Sequence, residues 1–521
     1  MHGGPIFAPT REKIKFAQDL SDSGPMPLEF RRMYRSHRAR DKSIWFNEYF
    51  QSSPGHLGDG WLHNHEIYLA VAKRPEGVVG VLDQVRVQMG DGTFHYFYRK
   101  PADLGYTARS STQSLTKVSS SPVAWVLTDG KSDVKYSFDS EGRLIEQSSR
   151  NGWRLTYAYS GGKLSLVQNQ FGRSLQLSYS AGKLSGVSTS DQRSVAFSYT
   201  NGILTGVLQA DGTSIQYTYA SPGAGIPALL TGIVDENGVA FASYTYDAEG
   251  WATSTEKAGG VERYSVPSKT QVIDPLGTSR SYSHKIYNNE LVFQGASQPP
   301  ASAGEAPIYT GSINATSGLV DFYYDQRYQQ TTYTWDVARR LPLTVTEAVG
   351  KPESRTTSTT WHAQWRLPVI VTEPGRTTSY TYDTSGNVLT QTITDTGSGG
   401  TARTTTRSYN AAGLVATEAS PNGAVTSYSY DALGNLTQST NALGHVDTYT
   451  HDGAGRVLTH TAPSGLVVSY TYDAAGRMRT SNRGGQGTTL TYRPTDPAVK
   501  WPPPRSRMAM SSPTPTMLRN A

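Results

Sequence analysis

Tyr428-Ser429-Tyr430-Asp431-Ala432-Leu433-Gly434-Asn435-Leu436 recurs, with small changes, along most of this 521-residue chain. It is repeated at Tyr380-Thr381-Tyr382-Asp383-Thr384-Ser385-Gly386-Asn387-Val388, at Tyr449-Thr450-His451-Asp452-Gly453-Ala454-Gly455-Arg456-Val457, and at Tyr470-Thr471-Tyr472-Asp473-Ala474-Ala475-Gly476-Arg477-Met478. The shared pattern is Tyr-x-Tyr-Asp-x-x-Gly-(Arg/Asn)-apolar. Its second aromatic-type position falls at Tyr409, Tyr430, His451 and Tyr472, a period of 21 residues. A looser set at Phe138, Tyr159, Tyr179, Tyr199 and Tyr219 keeps steps of 21, 20, 20 and 20. A fixed period in this range is the signature of a repeat architecture.

One repeat can be read from its residues. In an extended strand, residues i and i+2 share a face, so Tyr428 and Tyr430 point the same way and Ser429 points opposite. Asp431 opens a turn in which its carboxylate accepts a local backbone N–H. Gly434 supplies the positive φ such a turn needs, and Leu436 begins the return strand. The same roles are expected of Tyr382, Asp383 and Gly386, of Asp452 and Gly455, and of Tyr472, Asp473 and Gly476. Asn441-Ala442-Leu443-Gly444 makes a second turn, so each repeat is two short strands and two turns. Tyrosines of successive repeats are expected to stack in rows, each pair contributing roughly 0.2–1 kcal/mol. A single repeat cannot bury its aromatic face, so stability comes from neighbours.

Composition agrees. The chain carries 51 Gly and 32 Tyr with only 17% charged residues, which suits strands and tight turns, not helical bundles. It has no Cys, which excludes disulfides, thiolate catalysis and Cys-ligated zinc. No run of about 18 apolar residues exists, so no membrane insertion is expected. Met1-His2-Gly3-Gly4-Pro5 lacks the basic start and apolar core of a signal peptide. Export is therefore expected by another route or through an upstream part. Of the formal charge of +6, half lies in residues 495–521, where Lys500, Arg505, Arg507 and Arg519 face only Asp496. The remainder is too weakly basic to imply nucleic-acid binding.

Ahead of the repeats stand Leu28-Glu29-Phe30-Arg31-Arg32-Met33-Tyr34-Arg35-Ser36, then Leu57-Gly58-Asp59-Gly60-Trp61-Leu62-His63, then the strand His65–Val71. Phe30, Arg31, Tyr34, Ser36, Gly58, Gly60, Trp61 and His63 make up this lead-in motif. Followed by about eleven near-copies of the Tyr-Asp unit, it resembles the N-terminal part of bacterial RHS-repeat (YD-repeat) proteins. The motif spans roughly residues 24–71 and the repeats most of 130–494.

The expected fold is all-β: an N-terminal β-region followed by spiralling β-hairpin repeats. Residues 1–100 form the N-terminal domain, and 101–256 a β-meander and first repeat block. Residues 257–330 lose the period and are expected to be irregular, with an exposed loop at 298–304. Residues 331–494 are a second block, in which Trp335 and Trp361 replace the second tyrosine. Residues 495–521 lose tyrosine and gain Pro, Met and Arg. They are expected to be disordered and to result from a shifted reading frame, since the codons of Arg505–Ala521 can be chosen so that another frame spells a further repeat.

Four groups invite a site. His63 and His65 alternate beside Glu66, a start for metal ligation, but no third ligand is placed, and His63 is expected to pack within its motif. Asp139, Asp247, Asp336, Asp383, Asp431, Asp452 and Asp473 could be imagined as catalytic carboxylate pairs. All hold one repeat position, which predicts turn chemistry instead. Asp274-Pro275-Leu276-Gly277 superficially resembles the self-cleaving aspartyl protease core of full-length RHS proteins, but an ordinary repeat follows it, so no catalytic role is carried over. Arg31, Arg32, Arg35, Arg38, Arg40 and Lys42 form a basic cluster that could take a phosphate or acidic glycan; a solvated flank is the expectation. Asn314-Ala315-Thr316 and Asn435-Leu436-Thr437 match glycosylation sequons of the kind a Ser/Thr-rich chain makes by chance.

No catalytic residue, cofactor or metal is expected. The resemblance implies a secreted or cell-surface protein that is part of a hollow shell. Such a shell encloses a C-terminal toxin domain, is often delivered by type VI secretion, and serves competition between bacteria. This chain would be its front part, with a toxin domain, downstream repeats and a secretion apparatus as partners. With about half a wall, it is expected to leave a cavity unclosed and its edges open to association. The alternative is binding of surface glycans on the tyrosine and tryptophan rows.

Overall fold

The computed structural model describes residues 6–40, 55–72, 83–99, 105–108, 112–119, 121–287, 290–297, 308–325, 327–397 and 399–490. Lys42, the loop at 298–304 and the segment 495–521 lie outside the described residues.

Two small antiparallel sheets come first. One joins β1 (Ile6–Phe7), β2 (Glu12–Ser21), β3 (Glu29–Arg35) and β4 (Trp61–His63) in sequence order. A five-residue helix, α1 (Ser36–Arg40), follows β3. The other joins β5 (Tyr68–Val71), β6 (Asp83–Gln88), β7 (Phe94–Arg99) and β8 (Thr107–Ala108).

From there the chain is a single antiparallel ribbon. Thirty-five strands among the described residues run from Gln113–Lys117 to Gln486–Thr489, each paired with the next. Grouped by sheet they resemble a closed barrel, but among the described residues no register joins the first strand to the last, and side-chain bonds between residues about 260 apart mark successive windings of a spiral. Bridges Tyr68↔Arg143 and Tyr106↔Leu115 tie the second small sheet to its start.

The hairpin at the opening motif shows why the ribbon curves. Tyr428 pairs with Ser439 and Tyr430 with Leu436, and the register shifts between Ser429 and Tyr430. The same shift recurs just before the second aromatic position at Tyr159, Tyr179, Tyr199, Tyr382, Tyr409, His451 and Tyr472. A bulge adds local twist and bends its strand. Repeated at one edge, these bends accumulate into a coil.

The segment 257–330 differs from its expectation. Strands Val261–Ser268, Gln271–Ile273, Ser279–Tyr287, Glu290–Ser297, Ile308–Ile313 and Val320–Tyr324 continue the pairing unbroken. The strands lengthen to as many as nine residues and their turns change, which hides the period without interrupting the ladder.

The core lies between the two small sheets and the first part of the ribbon. Along Arg154–Ser160 burial alternates, with Leu155 and Tyr157 buried and their neighbours exposed. Leu175, Leu177, Val195, Phe197 and Tyr217 extend that buried face. In the second block the equivalent strand Val425–Tyr430 is only half-buried on the same face.

Candidate functional site: a capped and seamed repeat wall

Each repeat is held by its own chemistry. Asp431 accepts the Asn435 N–H on Oδ1 (2.8 Å) and the Asn435 side-chain amide on Oδ2 (2.8 Å). Asp452 accepts the N–H groups of Ala454 and Arg456 on Oδ1 and Arg456 Nε on Oδ2 (2.6 Å). Asp473 treats Arg477 in the same way, and Asp383 treats Asn387. Arg and Asn alternate after the glycine because both bring an N–H donor to the second carboxylate oxygen. Gly386, Gly434, Gly455 and Gly476 all sit at φ between 76° and 88°. Asp139, Asp247 and Asp274 cap their turns likewise, and Asp336 Oδ1 accepts the Arg339 N–H.

The second aromatic residue joins neighbouring repeats. Tyr430 Oη donates to the Val415 carbonyl (2.8 Å) and Tyr472 Oη to that of Val457 (2.9 Å). Tyr159, Tyr179, Tyr199, Tyr219, Tyr382 and Tyr409 donate to Leu144, Leu164, Leu184, Leu204, Pro368 and Val388. Trp335 and Trp361 keep the bond through Nε1, to Val320 (2.7 Å) and Pro342 (2.8 Å). Rings still meet across neighbouring strands at Tyr323–Tyr333 (6.1 Å), but between equivalent tyrosines this bond stands in place of the expected stacking. Equivalent tyrosines lie two strands apart, roughly 9–10 Å, too far for rings to stack but within reach of a phenol. His451 breaks the series: its Nδ1 is buried with no partner. The other ribbon face carries hydroxyls paired across strands, such as Thr381–Thr390 and Thr450–Thr459.

The lead-in motif forms the cap on the first winding. Phe30 packs against Phe197 at 6.0 Å and His63 at 5.2 Å. The Tyr34 hydroxyl accepts the Leu230 N–H (3.0 Å), and Ser36 Oγ accepts the Lys13 N–H (2.9 Å). Trp61 Nε1 donates to the Tyr219 hydroxyl (2.9 Å). At Gly58 (φ +87) a Cβ would lie 2.8 Å from the Gly202 carbonyl oxygen, so the cap can approach the ribbon only without a side chain there. Arg32, fully buried, forks onto Asp19 at 2.5 and 2.8 Å and reaches the Tyr217 hydroxyl at 3.2 Å.

The basic cluster is therefore neither a phosphate site nor a solvated flank. Arg32 is paired with Asp19, Arg35 with Glu12 and Arg38 with Glu66, and Arg40 lies 3.5 Å over the Trp251 ring. These cations face inward because β3 and α1 are sandwiched against the ribbon. Of the cluster's described members, Arg31 keeps a side chain more than half exposed, beside Glu29.

His63 and His65 are buried, and burial pushes both down to about 3. His65 Nε2 donates to the Glu29 carbonyl (2.9 Å). Among the described residues no group of three or more His, Asp or Glu is placed to hold a metal. Asn435 is buried between Asp431 and Arg173, and the Asn314 side chain caps its own turn.

The wall then closes onto itself along a seam. Trp153 Nε1 donates to the Ala412 carbonyl (2.8 Å), 259 residues away. Arg173 donates to the Leu433 carbonyl (2.9 Å) and Asn435 Oδ1 (2.6 Å). Arg477 meets Asp211 at 3.1 Å, 266 residues away. One winding thus takes about 260 residues. The Tyr-Asp edge of the second winding sits on the opposite edge of the first. The cap joins them, since Ser23 N donates to the Ala454 carbonyl (2.8 Å) and Arg173 packs flat on Gly24. Against the expectation of free edges, this pair of edges is sealed.

Sequence reasoning missed these seam residues. Their local signal is that Trp153 and Arg173 each follow a turn glycine, Gly152 and Gly172, on the edge away from the Tyr-Asp motif.

Comparison with known families accords with this geometry. The profile described as RHS Repeat matches residues 409–446, 431–466 and 451–489. The chain thus carries RHS repeats, matched over residues 409–489. A domain of unknown function, DUF6531, matches residues 3–97, the span of the cap. No curated protein sequence matches. Among solved structures, the TcdB2-TccC3 crystal structure aligns with a TM-score of 0.51 at 13% identity, covering 90% of this chain and 25% of that one. The TcdB2-TccC3-Cdc42 structure aligns at 0.50 and 13%, covering 90% and 24%. At that identity the likeness is one of fold, an RHS-type β-shell. The chain spans about a quarter of the length of those solved chains.

Proposed function

We propose that this RHS-repeat chain is a non-catalytic wall, the capped front part of a shell that would enclose a toxin domain for competition between bacteria. The observation that carries this reading is the seam. A ribbon that seats its second winding on its first, with a cap over the first, is built to separate an inside from an outside. The carboxylates of the Tyr-Asp motif cap turns, and His63 and His65 are packed inside the cap. Downstream repeats, a toxin domain and a secretion apparatus are the partners this reading requires, and a secreted or surface location goes with it.

The test begins with the nucleotides from the codon of Gly485 past that of Ala521, read in every forward frame. Any domain encoded there is then co-expressed with this chain and exposed to protease. Enclosure predicts that the domain survives until the wall is unfolded. Digestion at the same rate with and without the wall would overturn the reading.

A further inference from the structure

We propose that the far edge of the ribbon, where the first winding's seam runs on without a cover, is an interaction surface for a second copy of this chain, which docks there by its own Tyr-Asp edge. The ribbon has two edges. Turns that follow the Tyr-Asp motif make one, and the turns between repeats make the other, the far edge. In the seam, the Tyr-Asp edge of the second winding sits on the far edge of the first.

The Asn169 turn shows what that contact uses. Asn169 Oδ1 accepts the N–H groups of Phe171 (3.1 Å) and Arg173 (3.0 Å), and Gly172 lies at φ +86. This puts Phe171 at the tip of the turn, yet it is only 6% exposed. It meets the Trp153 ring at 5.6 Å, and a Cβ on Gly434 of the second winding would lie 2.8 Å from its ring. The same turn is built twice more on the far edge. Asn441 Oδ1 accepts the N–H groups of Leu443 (2.9 Å) and His445 (3.0 Å), with Gly444 at φ +77. Asp274 Oδ1 accepts those of Leu276 and Thr278, both at 2.9 Å, with Gly277 at φ +82. Asp274-Pro275-Leu276-Gly277 is therefore a turn of this docking edge. Leu443 and Leu276 stand where Phe171 stands, but they are 79% and 92% exposed.

Val239, Val261 and Tyr328, at or beside other turns of the far edge, are each more than half exposed as well. A stack of repeats needs a polar outer face where it ends. This edge carries apolar tips instead, and exposed apolar surface of that kind marks an interaction site. The seam also says what fits: its occupant is a Tyr-Asp edge, and a second copy brings one. On that edge Ile286 and Val337 are 67% and 58% exposed. A docked copy covers Leu276 and Leu443 with these side chains, as the Gly434 turn covers Phe171. The two faces differ, so the contact is head-to-tail, and each docked copy presents a fresh far edge. The surface is there whether or not the wall encloses anything.

The experiment is sedimentation velocity of the full chain from about 1 to about 100 μM, the range in which contacts of modest affinity fill. The expected result is a growing share of dimers and larger species. Leu276→Asp with Leu443→Asp alters the far edge, and Ile286→Asp with Val337→Asp alters the Tyr-Asp edge. All four side chains are exposed, so each double variant should keep its melting profile. Each should weaken association about tenfold or more. Mixed in equal amounts, the two variants should recover dimers but nothing larger, because one intact far edge then meets one intact Tyr-Asp edge. Ile370→Asp, exposed on a strand face away from both edges, should change nothing. A chain that stays monomeric at every concentration overturns the proposal. So does association that the double variants leave intact, a mixture that recovers no dimers, or an Ile370→Asp chain weakened as much as they are.

Discussion

His451 occupies the slot that a tyrosine or tryptophan fills in other repeats, and replacing it should strengthen the wall. In its neighbours the hydroxyl donates to a carbonyl fifteen residues back, as Tyr430 does to Val415 and Tyr472 to Val457. The imidazole is too short for the matching bond to Leu436, and its Nδ1 is left buried without a partner. His451→Tyr adds one hydrogen bond, worth about 0.5–1.5 kcal/mol, and removes a buried unsatisfied atom that costs about 1–3 kcal/mol. Allowing for partial relaxation around His451, a net gain of about 1–2 kcal/mol is expected. Burial also holds the His451 pKa below its ordinary value. Its contribution is therefore present above the unfolded pKa and lost as pH falls, so the variant's advantage should be larger at pH 5 than at pH 8. Repeat arrays unfold locally as well as globally. The assay is thus hydrogen exchange of amides between residues 425 and 483, alongside urea denaturation at both pH values. Tyr430→Phe is the mirror control and should lose about 0.5–1.5 kcal/mol. A His451→Tyr chain no more protected than wild type, or a Tyr430→Phe chain without cost, would refute the idea that these side chains clamp repeat to repeat.

Arg173→Ala should cost about 3–5 kcal/mol, because it removes two charge-assisted bonds and leaves the Leu433 carbonyl and Asn435 Oδ1 without their donor inside the seam; the check is urea denaturation, with faster protease nicking of the 420–424 turn as a second sign. Asp22 is buried, and burial raises its carboxyl to about 7. Its folded pKa lies above its unfolded one, so its share of stability is complete below about pH 4 and lost as pH rises through about 7. Asp22→Asn should flatten that slope in denaturation curves taken from pH 4 to 8. Gly434→Ala combines a φ of +76 with a Cβ only 2.5 Å from Pro25 Cγ; it should destabilise by more than about 1 kcal/mol, whereas Gly444→Ala, with the same sign of φ and open space, should cost less in the same melt.

What was legible in the sequence is what lies within one repeat. Tyr-Asp-x-x-Gly encodes a strand, a carboxylate-capped turn and a return strand within nine residues, and the structure builds these from the same atoms. The lead-in motif was legible as a unit, though not as the packing face that it is. The seam was not legible, because Arg173 and Leu433 are 260 residues apart and neither carries a local mark of the other. Continuity through 257–330 was hidden for a different reason. Backbone pairing there needs alternation and turns, not tyrosines, and Asn314 and Asp325 supply the turns without the motif. The arginines of β3 and α1 misled because a charge run reads as surface until its partners, Asp19, Glu12 and Glu66, are seen across the sheet.

The seating of the second winding on the first can be tested by one cross-link. The chain has no cysteine of its own. An ideal Cβ on Gly453 would lie 3.0 Å from that of Asp191, a few tenths of an ångström inside the usual disulfide separation of about 3.5–4.5 Å. The double variant Asp191→Cys with Gly453→Cys should oxidise rapidly to a single intramolecular disulfide, seen as a reducible mobility shift on a denaturing gel. If both cysteines remain free and react fully with maleimide under native, oxidising conditions, the two windings are not seated on one another and the wall does not close.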